Sequence, residues 1–217
     1  MKYRTTLAAL GLSLLLGGCA TPTPYDYSAF RASSPKSILV LPPVNESMDT
    51  SASYSFLTHV SYPLAESGYY VFPVAVTQQL FQANGLSNPE EIHALPLDKM
   101  AEVFAADSVL YITIKQYGTS YQVLASDTRV TAEASLVDSR SGQLLWKGQA
   151  TASSTEQNNS SQGGLVGLLV QAVVEQVMSN LTDRSHQIAG ITSQRLLWAN
   201  PNNGILPGPR ARQNQLQ

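Results

Sequence analysis

The chain has 217 residues with 13 basic and 15 acidic side chains, a formal charge of −2 that leaves no electrostatic footprint for nucleic acid. A single cysteine excludes both an intrachain disulfide and a cysteine-built metal centre. Hydrophobic residues make up 43 %, enough for one domain with a real core.

Lys2 and Arg4 form a basic start, and residues 7–16 form an apolar run too short to cross a hydrocarbon core about 30 Å thick. Gly17 and Gly18 then lead to Cys19. This is the layout of a cleaved secretory signal over residues 1–18. Leu16-Gly17-Gly18-Cys19 also resembles a bacterial lipobox. The resemblance implies that diacylglycerol alkylates the Cys19 thiol, that the chain is cut before it, and that the new amine is acylated. Each buried methylene contributes about 0.8 kcal/mol, so three chains would hold where one holds marginally. Ala20 follows in place of the Asp that commonly signals inner-membrane retention, which points to the outer membrane, with the domain in the periplasm.

Residues 19–36 read as the lipidated cysteine and a tether, with Pro22, Pro24 and Pro35 favouring an extended spacer. Tyr25, Asp26, Tyr27 and Phe30 give it a means to adhere to the domain or to a partner. A single α/β domain is expected over 37–198, with a tail over 199–217 rich in Pro, Gly, Asn and Gln. The continuous apolar run 37–41 suits a strand buried on both faces, stopped by Pro42-Pro43. Phe56, Leu57, Val60 and Leu64 share a helical face that Pro63 interrupts and Gly68 ends. A strand over 69–74 contains Pro73, which argues for a sheet edge. Helices follow over 76–83, with Leu80 and Phe81 inward, and over 97–106, showing Met100, Val103 and Phe104. The pattern then turns to period two: strands over 109–115, 121–124 and 129–137, with Ser126-Asp127 as a bend, a hairpin turn at 138–142, and a return strand over 143–152. A polar loop over 155–162 precedes a mostly helical stretch from 163 to about 198. The order predicts a mixed sheet with an antiparallel meander, covered by helices.

The strand at 37–41 with its prolines, the segment 70–73, the junction Ala106-Asp107-Ser108-Val109-Leu110-Tyr111-Ile112 and the 138–142 hairpin resemble the TolB N-terminal domain and CsgG-type envelope domains. Gly163-Gly164-Leu165-Val166-Gly167-Leu168-Leu169-Val170, Leu181-Thr182-Asp183-Arg184 and Asn203-Gly204-Ile205-Leu206-Pro207-Gly208-Pro209-Arg210 resemble a Gram-negative lipoprotein family of unknown function that includes a surface vaccine candidate. The resemblance implies an outer-membrane lipoprotein with a TolB-like domain, and by analogy a CsgG-like lipoprotein as partner. It implies no catalytic residue and no substrate.

No catalytic, cofactor or metal constellation stands out. His59, His93 and His186 lack ligand spacing in the sequence. There is no nucleophile elbow and no phosphate loop. Tyr111, Tyr117 and Tyr121 suggest either an aromatic binding face or ordinary packing on a sheet. The run from Gly163 is apolar almost all round, with Gly163 and Gly167 at small-x-x-x-small spacing beside Leu168. One reading is a surface for self-association or for a partner near the bilayer. The other is a helix start buried between sheet and helices. The expected function is therefore a non-enzymatic, lipid-anchored interaction module of the cell envelope. The rivals are a CsgG-like oligomeric pore and an envelope hydrolase with an unrecognised site.

Overall fold

The computed structural model describes residues 25–122, 125–159 and 181–212. Its frame is β1 (Ser37–Val40), whose run is buried on both faces, as its unbroken apolar character requires. Ile38 and Val40 enter one hydrophobic cluster, while Leu39 and the following Leu41 enter the other. Pro42-Pro43 ends the strand, and the chain re-enters the sheet as the short β2 (Val44–Asn45).

The helix with a proline interruption is two helices, α2 (Ala52–Leu57) and α3 (Ser61–Glu66), which follow α1 (Ser28–Ser33) in the chain. The strand expected over 69–74 shrinks to β3 (Tyr70–Val71). Pro73 has no N–H for a ladder, and it stands at the N-terminal boundary of α4 (Val74–Ala83) instead. Only Phe81 of the expected inward pair is buried, with Leu80 39 % exposed, because adjacent helical residues diverge by about 100°. Asn88 caps α5 (Pro89–His93) by accepting from the Glu90 amide at 3.1 Å. In α6 (Leu97–Phe104) Met100 faces in and Val103 faces out, against expectation.

The period-two region is a hairpin longer than the sequence pattern suggested: β4 (Ser108–Gln122) and β5 (Ala125–Asp138), followed by β6 (Leu144–Ser153). Ser126 and Asp127 are not a bend but lie in β5, opposite Tyr121 and Ser120. The turn after Asp138 forms as expected. The Asp138 carboxylate accepts from the amides of Arg140 and Ser141 at 3.1 and 2.8 Å, and Gly142 takes φ +71°. The loop expected from 155 begins instead as α7 (Ser154–Asn159). The described end of the long helical stretch is α8 (Leu181–Leu197), which packs on β4, β5 and β6.

The sheet runs β3-β1-β4-β5-β6, with β2 beside β4. Contacts among β1, β2, β3 and β4 are parallel, and β4-β5-β6 is an antiparallel meander. This is the mixed, helix-covered sheet that the order of elements predicted. Side chains of α2, α3 and α8 join one core cluster, and those of α4, α5 and α6 join the other.

Two register slips shape the core. Lys115 is an extra residue between the pairs Ile114–Ala132 and Gln116–Thr131. Strict alternation from Leu110, Ile112 and Ile114 would send Tyr117 away from the α2–α8 side, and the slip returns it there, 7 % exposed. Leu145 is the extra residue of β6, so Leu145 and Trp146 are both buried.

The described parts of both segments flanking the expected domain, 25–36 and 199–212, pack into it. Tyr27 and Phe30, in the expected tether, are 6 % and 4 % exposed, and Tyr27 donates its hydroxyl to the Gly204 carbonyl at 2.6 Å. In the tail, Ile205 is fully buried. Gly68, at φ +94°, lets the tail run against it, since a Cβ there would lie 2.2 Å from the Ala211 nitrogen.

Candidate functional site

The carboxyl end of β1 opens into a cleft of about 290 Å³. Its floor comes from Pro42, Pro43 and Leu57, and its walls from Tyr54 of α2 and from Gln78 and Gln82, one turn apart on α4. The Pro-Pro stop creates this opening. Two prolines cannot continue the ladder, so the chain leaves β1 and bares carbonyls that side chains must satisfy. Ser53 donates to the Pro43 carbonyl at 2.8 Å. His93 Nε2 lies 2.9 Å from the Pro42 carbonyl and must therefore carry the proton there. Burial pushes His93 below its ordinary value, against smaller opposing effects of that carbonyl and Glu90, so the ring is neutral and its tautomer fixed. Its face meets Tyr111 edge-on with centroids 5.2 Å apart. Asn45 is used up in bracing the rim: its amide donates to the Asp49 carbonyl, and its oxygen accepts from Ser47.

The cleft is ready for a ligand that has both donors and acceptors. The side-chain amides of Gln78 and Gln82 make no hydrogen bond to another described residue, and Tyr54 is 58 % exposed. Glu90 is the one charged lining residue among those described, so an anionic ligand would find no counter-charge.

Among the described residues, none of the sequence-derived candidates lines this cleft. Cys19, Gly163, Gly167 and Leu168 lie outside the described residues. The tyrosines do not make one aromatic face: Tyr111 packs beside the α4–α6 cluster and Tyr117 in the opposite one. Sequence reasoning missed the cleft. Its one legible signal was Pro42-Pro43 directly after a doubly buried strand.

The histidines are arranged differently from their spacing. His93 bonds the carbonyl of Pro42, which lines the cleft, but His59 and His186 meet, with His59 Nε2 3.3 Å from His186 Nδ1. Ser55 Oγ lies 2.7 Å from the same Nδ1 and accepts the Tyr117 hydroxyl proton at 2.7 Å. A serine beside an imidazole is half of a nucleophilic pair. Among the described residues, however, no carboxylate bonds either imidazole to orient it. No described helix is long and apolar enough to cross a membrane.

The family described as "Putative lipoprotein GNA1162-like" matches residues 25–210. The chain is 50 % identical over 186 residues to "Putative lipoprotein NMB1124/NMB1162" of Neisseria meningitidis serogroup B, covering 86 % of each. The crystal structure of lipoprotein GNA1162 from Neisseria meningitidis is 48 % identical and superposes with a TM-score of 0.52, over 67 % of this chain and all of that one. A PelC dodecamer from Paraburkholderia phytofirmans is 12 % identical with a TM-score of 0.42, over 74 % of this chain and 88 % of that one, a likeness without functional weight. The chain belongs to the GNA1162-like lipoprotein family and is, with that family, a membrane-anchored protein of the cell envelope.

Proposed function

We propose that this lipoprotein sits in the outer membrane through acyl chains on Cys19, its α/β domain in the periplasm, and works as a non-enzymatic docking module. Its occupant is an extended peptide segment of another envelope lipoprotein, bound in the cleft at the end of β1. The observation that carries this reading is the lining. Prolines and an exposed tyrosine offer flat apolar contact, and two free glutamine amides stand one turn apart. A peptide backbone presents alternating N–H and C=O groups, and an amide answers both. Aromatic and proline surfaces recur in grooves that receive extended chains. The cleft is at the small end of the range for ligand pockets, about 300–1,000 Å³, and suits a few residues of a strand better than a bulky cofactor.

The test uses intact cells. A photo-reactive side chain is placed at Tyr54 or Gln82, with exposed Gln187 of α8 as the control position. The expected crosslink maps by mass spectrometry to one segment of an envelope lipoprotein, and a synthetic peptide of that segment binds the purified protein at least ten-fold more weakly after Tyr54→Ala. Crosslinks equal at all three positions, or a peptide indifferent to Tyr54→Ala, would overturn the docking site. The anchor is tested separately. Cys19→Ser should leave the membrane fraction on a high-salt wash, and retention there refutes lipidation at Cys19.

A further inference from the structure

Lys36 stands directly before β1 and the Pro42-Pro43 cleft directly after it, so the two lie about 20 Å apart, at opposite ends of one strand. The Lys36 end has a second cleft, also of about 290 Å³. α1 contributes Phe30 and Arg31 to it, and the strapped tail contributes Pro207 and Pro209. The tail wall is held in place. Gly208 donates its amide to the Ser67 carbonyl at 2.8 Å, Arg210 donates its amide to Gly68 at 3.2 Å, and the Tyr69 hydroxyl donates to Leu206. The result is a preformed slot with apolar sides, in which Arg31 and Lys36 are the charged lining residues among those described.

The fold does not use these cations. Arg31 and Lys36 are exposed, and among the described residues neither forms an ion pair. The same holds for exposed Arg210, whose guanidinium lies over the Tyr70 ring, 5.9 Å from its centre. Tyr70 ties Arg210 to this end of the sheet, because its amide donates to the Lys36 carbonyl at 3.0 Å. The carboxylates bonded nearby are already occupied. Asp107 accepts from the amides of Lys36 and Ser37 and from the Arg140 guanidinium, at 3.0, 3.1 and 3.2 Å. Asp138 accepts the Ser33 hydroxyl proton at 2.6 Å. Asp26 accepts from the Ser28 amide at 2.9 Å and meets Arg31 only as a more distant charge. Three cations around one apolar slot complement a phosphate joined to an apolar body.

Chain length puts the slot beside a membrane. Tyr25, the first described residue, is six positions after Cys19, a reach of at most about 20 Å, and α1 begins three residues further on. We propose that Arg31, Lys36 and Arg210 engage the phosphates of anionic phospholipid headgroups in the leaflet that holds the anchor, an inference that rests on lipidation at Cys19. Arg31 can offer two parallel N–H groups to phosphate oxygens, and Lys36 acts as a point charge. The tether keeps headgroups at high local concentration, so individually weak contacts suffice. The consequence is an orientation. The amino end of β1 rests on the bilayer, and the peptide cleft at its carboxyl end opens away from it, toward the periplasm.

The test uses the chain from residue 19 with Cys19→Ser, so that binding does not depend on the anchor, sedimented with vesicles. Binding should require phosphatidylglycerol in the vesicles and be absent with phosphatidylcholine alone. Each basic side chain at an anionic surface strengthens association about five-fold, so Arg31→Gln with Lys36→Gln should lose about 25-fold. Both positions are exposed, so this variant should keep the parent melting temperature. Lys99→Gln with Lys115→Gln removes the same charge elsewhere and should bind as the parent does. Equal loss in the two double variants would reduce the effect to net charge, and equal binding to both vesicle types would reduce it to apolar adhesion. Displacement by inorganic phosphate at the concentration of lipid phosphate would make the ligand a free anion. Each of these overturns the proposal. The lipidated protein in nanodiscs gives a second measurement. Amides of residues 31–36 should exchange more slowly in phosphatidylglycerol than in phosphatidylcholine discs, and unchanged exchange would refute the orientation. Salt screens headgroup contacts, so the high-salt wash that tests the anchor is blind to them, and the two readings fail separately.

Discussion

Replacing Ile205 by alanine should unfold the protein more readily than its place in a Pro- and Gly-rich tail suggests. The tail is strapped onto the domain at several points. Trp146 Nε1 donates to the Asn203 carbonyl at 2.9 Å, Tyr27 to Gly204 at 2.6 Å, and Tyr69 to Leu206. Further along, the Gly208 amide donates to the Ser67 carbonyl at 2.8 Å. Burial raises the Tyr69 phenol well above its ordinary value, so it is a neutral donor throughout the working range. Within this strap Ile205 is fully buried in the larger cluster. Ile→Ala deletes three carbons. At about 0.8 kcal/mol per methylene, the transfer loss is about 2.4 kcal/mol, and the cavity left behind brings the cost to about 3 kcal/mol. For a domain of this size, about 2–4 °C is lost per kcal/mol, so the melting temperature should fall by about 6–12 °C. Circular dichroism melts of the parent, Ile205→Ala and Leu206→Ala measure it, and half-buried Leu206 should cost clearly less. An Ile205→Ala protein melting within about 2 °C of the parent would refute the packed-tail account.

Two further predictions concern the meander. In β6 the Trp146 ring lies over Gly148, where a Cβ would meet Trp146 Cζ2 at 2.3 Å, so Gly148→Ala should cost about 1–3 kcal/mol by overpacking. An unshifted urea midpoint would show that the ring relocates freely. Burial alone would raise the Asp138 carboxyl, but hydrogen bonds from Ser33, Ser141 and Arg140 together outweigh it and hold the group below the ordinary 3.8. Its ionised form therefore contributes stability in full above pH 3.8, and that contribution is lost as the pH falls below 3.8 through the lower folded-state value. Asp138→Asn should flatten the acid limb of a stability–pH curve between about pH 4 and pH 2, and an unchanged slope would count against the Asp138 hydrogen bonds as its source.

The sequence by itself determined the features that depend on neighbours along the chain. An apolar run without polar breaks had to be a strand buried on both faces, and 37–41 is one. Alternation marked the meander, and Asp138 with Gly142 marked its turn, because a carboxylate that captures its own downstream amides acts within a few residues. Pro73 marked a boundary but not the extent of the helix beyond it. Tertiary structure decided the rest. A bulge depends on the partner strand, and period two broken at Lys115 or Leu145 looks like noise until β5 is laid alongside. Those slips turn Tyr117 toward Ser55 and let Leu145 and Trp146 both face inward. The cleft depends on where α2 and α4 come to rest, and the His59–His186 pair on how α8 crosses α2. The tail and residues 25–33 looked like spacers because their periodicity is poor. They pack because Tyr27, Trp146 and Tyr69 each carry a hydroxyl or indole N–H that a buried ring must satisfy, and the tail carbonyls are the acceptors within reach. Two of these matches join residues more than a hundred positions apart, Tyr27 to Gly204 and Tyr69 to Leu206, and only the folded chain brings them together.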